Sequence, residues 1–249
     1  MAGNLEYLRS AGIKFVTFDV GHTFLFPDYV QLAKSMTAYF KRYVSPAQVM
    51  RADAVVRRKI LKQDAKQHSA NCPVPSFAFE YWGGLALVCL NASEADLGQP
   101  LYDYCLFLHE LHEAKCLFNR VANDALCAFD LIRELNIPMA VISNANGKIE
   151  RDLEILGLAE YFDFIIDSGT VGYAKPDPQI YRCALAAASV EADRALHVGD
   201  NPIADAIGAQ SAGWHAVLLD GCGTFLGFEQ SAPAPVCRSL MEVALALRS

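Results

Sequence analysis

The stretch Lys14-Phe-Val-Thr-Phe-Asp19 is a short, apolar, β-prone run that ends in an acidic residue, and Gly21 follows it closely. A run of this kind, bounded by a turn signal, predicts a buried β-strand. Asp19 is then expected just past the carboxyl end of the first strand of a sheet.

From about residue 121 onward, strand-like and helix-like segments alternate along the chain. Strands are predicted at residues 138–142, 164–166, 195–198 and 215–219, and helices at 123–135, 149–156, 178–188 and 204–212. This alternation is typical of an α/β fold with a doubly wound, Rossmann-like parallel sheet. A last short helix is expected at residues 239–247.

The segment between the first strand and this alternating region is predicted to be mostly helical. Apolar residues recur at helical spacing over residues 31–43, 46–62 and 102–117, and the proline-containing residues 71–75 interrupt the pattern. We therefore expect an α/β core domain from residues 1–26 and 119–249, and an inserted all-helical cap domain from residues 27–118. An insert after the first strand is placed to close over the sheet edge as a lid.

Composition excludes several classes of function. The 249 residues include 21 Lys and Arg against 28 Asp and Glu, a net charge of −7, which argues against nucleic-acid and membrane-surface partners. No apolar run approaches the roughly 20 residues of a membrane-spanning helix, and the first ten residues do not resemble a secretory signal. None of the eight cysteines forms a CxxC pair, so reduced thiols and a cytoplasmic location are expected.

Polar residues cluster just past the predicted strand ends. Asp19 follows the first strand, Ser143 and Asn144 follow the strand at 138–142, and Asp200 follows the strand at 195–198. Ligands of open parallel sheets bind beyond the carboxyl ends of the strands. Carboxylates gathered there repel one another unless a cation neutralises them, and hard oxygen ligands suit Mg²⁺. The loop residue Lys175 would add an ammonium group suited to phosphate, and these groups together suggest attack by a carboxylate on phosphorus.

Four motifs in this order resemble those of the haloacid dehalogenase (HAD) superfamily of hydrolases, and most closely its subclass with a helical cap after the first strand. They are Phe18-Asp-Val-Gly-His-Thr23, Val141-Ile-Ser-Asn144, Gly172-Tyr-Ala-Lys-Pro-Asp-Pro178, and His197-Val-Gly-Asp-Asn201 with Asp205. The resemblance covers nearly the whole chain, from about residue 15 to about residue 219. It implies a Mg²⁺-dependent phosphatase acting on a small phosphorylated metabolite through an aspartyl-phosphate. It names neither the substrate nor the oligomeric state.

The resemblance also implies a role for each matched residue. Asp19 matches the nucleophile, and its carboxylate would also bind Mg²⁺. Ser143 matches the phosphate-binding hydroxyl, with Asn144 beside it, and Lys175 matches the lysine that neutralises nucleophile and phosphoryl charge. The remaining matches concern the metal and the turn: the Gly21 carbonyl and the carboxylates of Asp200 and Asp205 for Mg²⁺, and the Thr23 hydroxyl for the turn.

The first motif departs from the pattern of the family's phosphatases, which usually read Asp-x-Asp-Gly-Thr. Here Gly21 stands where the second Asp is expected, and His22 stands where the glycine is expected. That second Asp is the family's general acid and base, and losing such a group typically costs about 10²–10⁴ in rate. Three outcomes remain open: His22 takes over proton transfer, the enzyme favours substrates with good leaving groups, or the protein is a weakened relative that only binds a phosphorylated ligand or a protein partner.

Two further interpretations carry less support. The dehalogenases of the superfamily also lack the second Asp, but their fourth motif lacks the metal-binding Gly-Asp, which this chain keeps as Gly199-Asp200. The pair His109 and His112 has no third metal ligand in sight, so a solvated helix face is favoured over a metal site.

Overall fold

The computed structural model describes residues 5–62, 78–225, 227 and 229–248. Six parallel strands form the main sheet in the order β5-β4-β1-β6-β7-β8, and β2 pairs with β3 in a separate two-stranded sheet. In chain order the strands are β1 Phe15–Phe18, β2 Leu25–Pro27, β3 Phe118–Val121, β4 Met139–Ser143, β5 Phe164–Asp167, β6 Ala195–Gly199, β7 His215–Leu219 and β8 Val236–Cys237. The predicted α/β fold with a parallel sheet and a helical insertion is confirmed.

The chain separates into two compact units, one formed by Met1–Phe26 with Val121–Ser249 and the other by Pro27–Arg120. In chain order the α-helices of the described residues are α1 Tyr7–Ala11, α2 Tyr29–Phe40, α3 Pro46–Lys62, α4 Gly84–Leu90, α5 Glu94–Leu97, α6 Gln99–Ala114, α7 Ala125–Glu134, α8 Ile149–Ile155, α9 Ser168–Val171, α10 Pro178–Ala188, α11 Gly208–Ser211 and α12 Leu240–Leu247. Two π-helical segments, Ala78–Gly83 and Pro202–Ile207, precede α4 and α11. No helix among the described residues is long and apolar enough to cross a bilayer.

The first unit is built around β1, which is buried over its whole length. Aromatic rings pack against the end of this strand and against the loop that follows it. The Phe18 and Phe24 rings lie edge-on to Phe129, with centroids 5.2 and 5.5 Å apart. Since Phe24 is fully buried, it ties the loop after Asp19 to the core.

The second unit has its own packed interior. The carboxylate of the fully buried Asp53 accepts hydrogen bonds from the Tyr29 and Tyr81 hydroxyls at 2.8 and 2.7 Å. Trp82 is also fully buried, and its ring lies 5.9 Å from that of His112. The Nδ1 of His112 accepts the backbone N–H of Leu117, so this histidine helps to end its helix.

Several elements differ from the sequence-based expectation. Strands β2 and β3 were not predicted, because they have three and four residues and too short a pattern for alternation to show. The helix expected at 204–212 begins at Pro202, since Asn201 caps it by accepting the N–H groups of Ile203 and Ala204. The predicted break at residues 71–75 lies outside the described residues.

Candidate active site

The site residues of the first unit gather at one edge of the main sheet. Phe18, the last residue of β1, pairs with Val141 on β4 and with Val198 on β6. Asp19 follows directly, and its N–H donates to the Val198 carbonyl at 2.8 Å. The strands that end in Ser143 and Gly199 therefore flank Asp19, at the point where the strand order changes direction.

Lys175 joins two carboxylates at this edge. Its Nζ lies 2.6 Å from Oδ1 of Asp19 and 2.7 Å from Oδ1 of Asp205. The side chains of Lys175 and Asp205 are each 2% exposed, whereas that of Asp19 is 13% exposed. Asp19 is thus the member of the trio that remains in contact with solvent. A group that reacts with a substrate must be accessible in this way.

Burial and the contacts among Asp19, Lys175 and Asp205 shift the pKa values of the three groups in different directions. Burial raises the pKa of Asp19 above its ordinary value, and Lys175 only partly offsets this. Burial would also raise the pKa of Asp205, but Lys175 and His197 outweigh it and hold that pKa below its usual range. Burial alone would lower the pKa of Lys175, but Asp19 and Asp205 raise it, so the ammonium form is favoured.

Asn144 fixes the backbone of Lys175. Its side-chain carbonyl accepts the Lys175 N–H at 2.7 Å, and its amide donates to the Lys175 carbonyl at 2.8 Å. Both polar atoms of the side chain are therefore engaged with the lysine loop. These two hydrogen bonds connect the end of β4 to the loop that carries Lys175. The phosphate-binding role expected for Asn144 stays a prediction.

Asp205 is enclosed by its neighbours. Its Oδ2 accepts the backbone N–H of Asn201 at 2.8 Å, and its Oδ1 meets both Lys175 and His197. A Cβ placed on Gly199 would lie 2.2 Å from Cγ of Asp205, so only glycine leaves room for this carboxylate. The space that Asp205 occupies therefore explains why the fourth motif has glycine at position 199. Asp205 itself lies on a π-helical segment, and such segments are frequent at functional sites.

Asp19, Asp200 and Asp205 each offer one carboxylate oxygen, and these oxygens lie within 4.8 Å of one another. Among the described residues, this is the group of three or more His, Cys, Asp or Glu side chains that could hold a metal ion. The ammonium of Lys175 contacts two of these three carboxylates, and a divalent cation would bring the local charge closer to balance. Oxygen ligands of this type suit Mg²⁺.

Ser143 ends β4, and its residue is 6% exposed. Within the part of the chain that the structure describes, its hydroxyl makes no hydrogen bond, so it is available to a ligand. A hydroxyl held at the end of a rigid strand is well placed to donate to a phosphoryl oxygen.

The loop after Asp19 makes a tight turn. Its backbone N–H groups at residues 23–25 all donate to the Val20 carbonyl, and the Thr23 hydroxyl donates to Oδ2 of Asp19 at 3.2 Å. His22 has a φ of +59°, in the left-handed region that suits the glycine found there in related motifs. The His22 ring is buried and lies edge-on to Phe26.

Two residues of the site were given no role from the sequence. Thr17 and His197 are fully buried and face each other across β1 and β6. His197 Nδ1 lies 2.8 Å from the Thr17 hydroxyl, and Nε2 lies 3.2 Å from Oδ1 of Asp205. Burial lowers the pKa of His197 below its ordinary value. The available signal was a polar residue inside each of two otherwise apolar strands.

Comparison with known proteins places this geometry in a family. The family model for haloacid dehalogenase-like hydrolases matches residues 27–213, about three quarters of the chain. The chain belongs to the haloacid dehalogenase-like hydrolase family. A magnesium-bound HAD-hydrolase from Bacillus subtilis, YfnB, has the same fold: its TM-score is 0.59 at 18% identity, and the match covers 95% of this chain and 99% of that one.

Curated relatives within the HAD family match a shorter part of the chain. Haloacid dehalogenase-like hydrolase domain-containing protein 3 of Mus musculus is 45% identical over 89 residues, which are 36% of this chain and 36% of that protein. A phosphoserine phosphatase of Thermus thermophilus is 39% identical over 89 residues, 35% of this chain and 36% of that protein. The chain thus aligns with little more than a third of the length of these two relatives.

Proposed function

We propose that this HAD hydrolase is a Mg²⁺-dependent phosphatase that removes phosphate from a small phosphorylated metabolite through an aspartyl-phosphate on Asp19. The observation that carries the proposal is the position of Asp19, at the carboxyl edge of a central strand, in contact with Lys175 and beside two further carboxylates. The likeness to a phosphoserine phosphatase over 89 residues supports the same class of substrate.

The residues present fit a magnesium ion. Asp19 and Asp200 would hold it through carboxylate oxygens, with the carbonyl of Gly21 as a further ligand. Asp205 already accepts from Lys175, His197 and Asn201, so we expect its contact with the ion to run through water. When bound, Mg²⁺ supplies Lewis-acid stabilisation of charge on the phosphoryl oxygens.

In the first step, an oxygen of Asp19 forms a bond to phosphorus while the bond from phosphorus to the leaving oxygen breaks. Ser143 donates a hydrogen bond to a phosphoryl oxygen, and the ammonium of Lys175 offsets the charge that Asp19 shares with the phosphoryl group. In the second step, the oxygen of a water molecule forms a bond to phosphorus while the bond between phosphorus and the Asp19 oxygen breaks. The protons of the water go to the departing phosphate and to bulk solvent, and the Asp19 carboxylate is regenerated. After the two steps the protein has returned to its starting charge.

The proton that the leaving alkoxide takes up in the first step has no donor at position 21, because Gly21 carries no side chain. We therefore propose that the enzyme works best on substrates whose leaving group needs little protonation, such as acyl phosphates. A donor role for His22 is the competing explanation. A weakened protein that binds a phosphorylated ligand without turnover is the second candidate function, and Gly21 is the feature that favours it.

The phosphatase proposal predicts phosphate release from an aryl or acyl phosphate in the presence of Mg²⁺. Addition of EDTA should stop the release, and excess Mg²⁺ should restore it. Release is measured with a colorimetric phosphate assay on the purified chain, against buffer with Mg²⁺ alone. If Mg²⁺ binds, as calorimetry would show, but no phosphorylated compound of a broad panel is turned over, the binding function replaces the phosphatase.

The leaving-group proposal predicts opposite responses of two substrates to Gly21→Asp. The new carboxyl can protonate an alkoxide, so turnover of an alkyl phosphate should rise by about 10²–10⁴, whereas turnover of an acyl phosphate should change little. His22→Asn is the companion variant, since Asn tolerates the left-handed backbone of His22. A fall in alkyl phosphate turnover in both variants would show that His22 already serves as the proton donor.

A further inference from the structure

A line of polar groups runs through the otherwise apolar centre of the main sheet and ends at the site. It begins at Thr17 on β1, passes through His197 on β6 and reaches Asp205, and all three residues are at most 2% exposed. The two contacts are 2.8 Å between the Thr17 hydroxyl and Nδ1, and 3.2 Å between Nε2 and Oδ1. Buried polar groups are costly unless they are satisfied, so a line of this kind needs a reason.

The hydrogen-bond partners fix the direction of each proton. The Asp205 carboxylate can only accept, so Nε2 of His197 carries the ring proton that it donates to Oδ1 at 3.2 Å. In the neutral ring Nδ1 is then an acceptor, and the Thr17 hydroxyl 2.8 Å away donates to it. The chain of donation thus runs one way, from Thr17 to His197 to Asp205.

Asp205 needs this support because it sits on a segment outside the sheet. It follows the loop at Asn201, and its partner Lys175 belongs to another loop. Thr17 and His197, by contrast, lie directly opposite each other on the paired central strands β1 and β6. A group on a strand can hold a loop carboxylate within the small tolerance that a reactive site needs.

We propose that Thr17 and His197 are positioning residues that hold Asp205, and that through Asp205 they fix the ammonium of Lys175 in contact with both carboxylates. The effect of this positioning on catalysis rests on the function proposed above. With Asp205 displaced, the ammonium would lose one of its two carboxylate partners, so its position beside Oδ1 of Asp19 would be fixed from one side only and its placement against the phosphoryl group would be less exact.

The kinetic test uses paired variants at both positions. His197→Leu removes both contacts, and we expect kcat to fall about 10–100-fold with little change in KM, as for partners that orient an active-site ligand. His197→Gln keeps an N–H near the Nε2 position and should recover part of the loss. Thr17→Ser should resemble the wild type, and Thr17→Val should lose activity. Unchanged kcat in a folded His197→Leu or Thr17→Val variant would overturn the proposal.

A double-mutant cycle separates positioning from a general loss of packing. If His197 acts through Asp205, its replacement by Leu should lower kcat much less in an Asp205→Asn background than in the wild type. Full additivity would show that His197 acts on kcat independently of Asp205 and would overturn the proposal. If His197→Leu does not fold, the comparison of His197→Gln and Thr17→Val with the wild type carries the test.

A readout without substrate separates this proposal from the phosphatase itself. In a ¹⁵N NMR spectrum of labelled protein, the His197 ring should show an unprotonated Nδ1 and a protonated Nε2. The signal is assigned among the six histidines by its absence in His197→Leu. Thr17→Val should shift the Nδ1 resonance, whereas the opposite tautomer in the wild type would overturn the hydrogen-bond line even if the enzyme hydrolyses phosphate esters.

Discussion

Asp19→Asn should abolish turnover, with a loss of about 10⁴-fold or more, because an amide cannot form the bond to phosphorus on which both steps depend. The variant should remain folded. Lys175 keeps its 2.7 Å contact with Asp205, and the buried charge of Asp19, whose pKa is raised by burial, is removed. We therefore expect the free energy of unfolding of Asp19→Asn to equal or exceed that of the wild type near neutral pH.

The measurements are phosphate release with Mg²⁺ and urea-induced unfolding followed by circular dichroism. Asp193→Asn is the matched control, since this exposed aspartate lies in a short turn of helix before β6, at the opposite end of that strand from Asp200. It should keep both activity and stability. Substantial turnover by a homogeneous Asp19→Asn sample would remove Asp19 from the role of nucleophile.

Lys175→Met should impair both activity and folding. The ammonium is the shared partner of two carboxylates, and its own side chain is 2% exposed. Removing one partner of a buried ion pair leaves uncompensated charge and typically costs about 3–5 kcal/mol. Turnover should fall as well, because the negative charge of Asp19 and of the phosphoryl group would no longer be offset.

The stability loss is measured by urea unfolding at neutral pH, and it should shrink as the pH is lowered, because protonation of Asp19 relieves the repulsion between the two carboxylates. The sign follows from the raised pKa of Asp19, which makes its neutral form accessible before that of Asp205. Lys34→Met on the exposed face of α2 is the control and should change stability little. Equal stability of the two variants would contradict the shared ion pair.

Local signals account for the elements that the sequence predicted well. Helix α10 begins at Pro178, where Asp177 accepts the N–H of Gln179 and proline occupies the first helical position. The residues that cap this helix are adjacent to it in the sequence, so a single stretch of sequence is sufficient to predict where the helix begins. Strands β1 and β7 are short runs of mostly apolar residues and were predicted within a residue of their observed ends.

The elements and contacts that the sequence did not predict depend on residues far apart in the chain. The Thr17–His197 contact joins residues that lie 180 positions apart, and only the pairing of β1 with β6 brings them together. Asn144 contacts Lys175 across 31 positions, so a motif could place both residues at the site but could not show that one holds the backbone of the other. Short strands such as β2 likewise form only because a partner segment returns beside them.

The most direct test of the account is to trap the covalent intermediate. Protein mixed with an acyl phosphate and Mg²⁺ is quenched in acid within one turnover, and its mass and that of its peptides are measured. We predict an added phosphoryl group on the peptide that contains Asp19, absent without Mg²⁺ and in Asp19→Asn. A phosphoryl group on another residue, or phosphate release under the same conditions with no phosphorylated protein at any quench time, would contradict it.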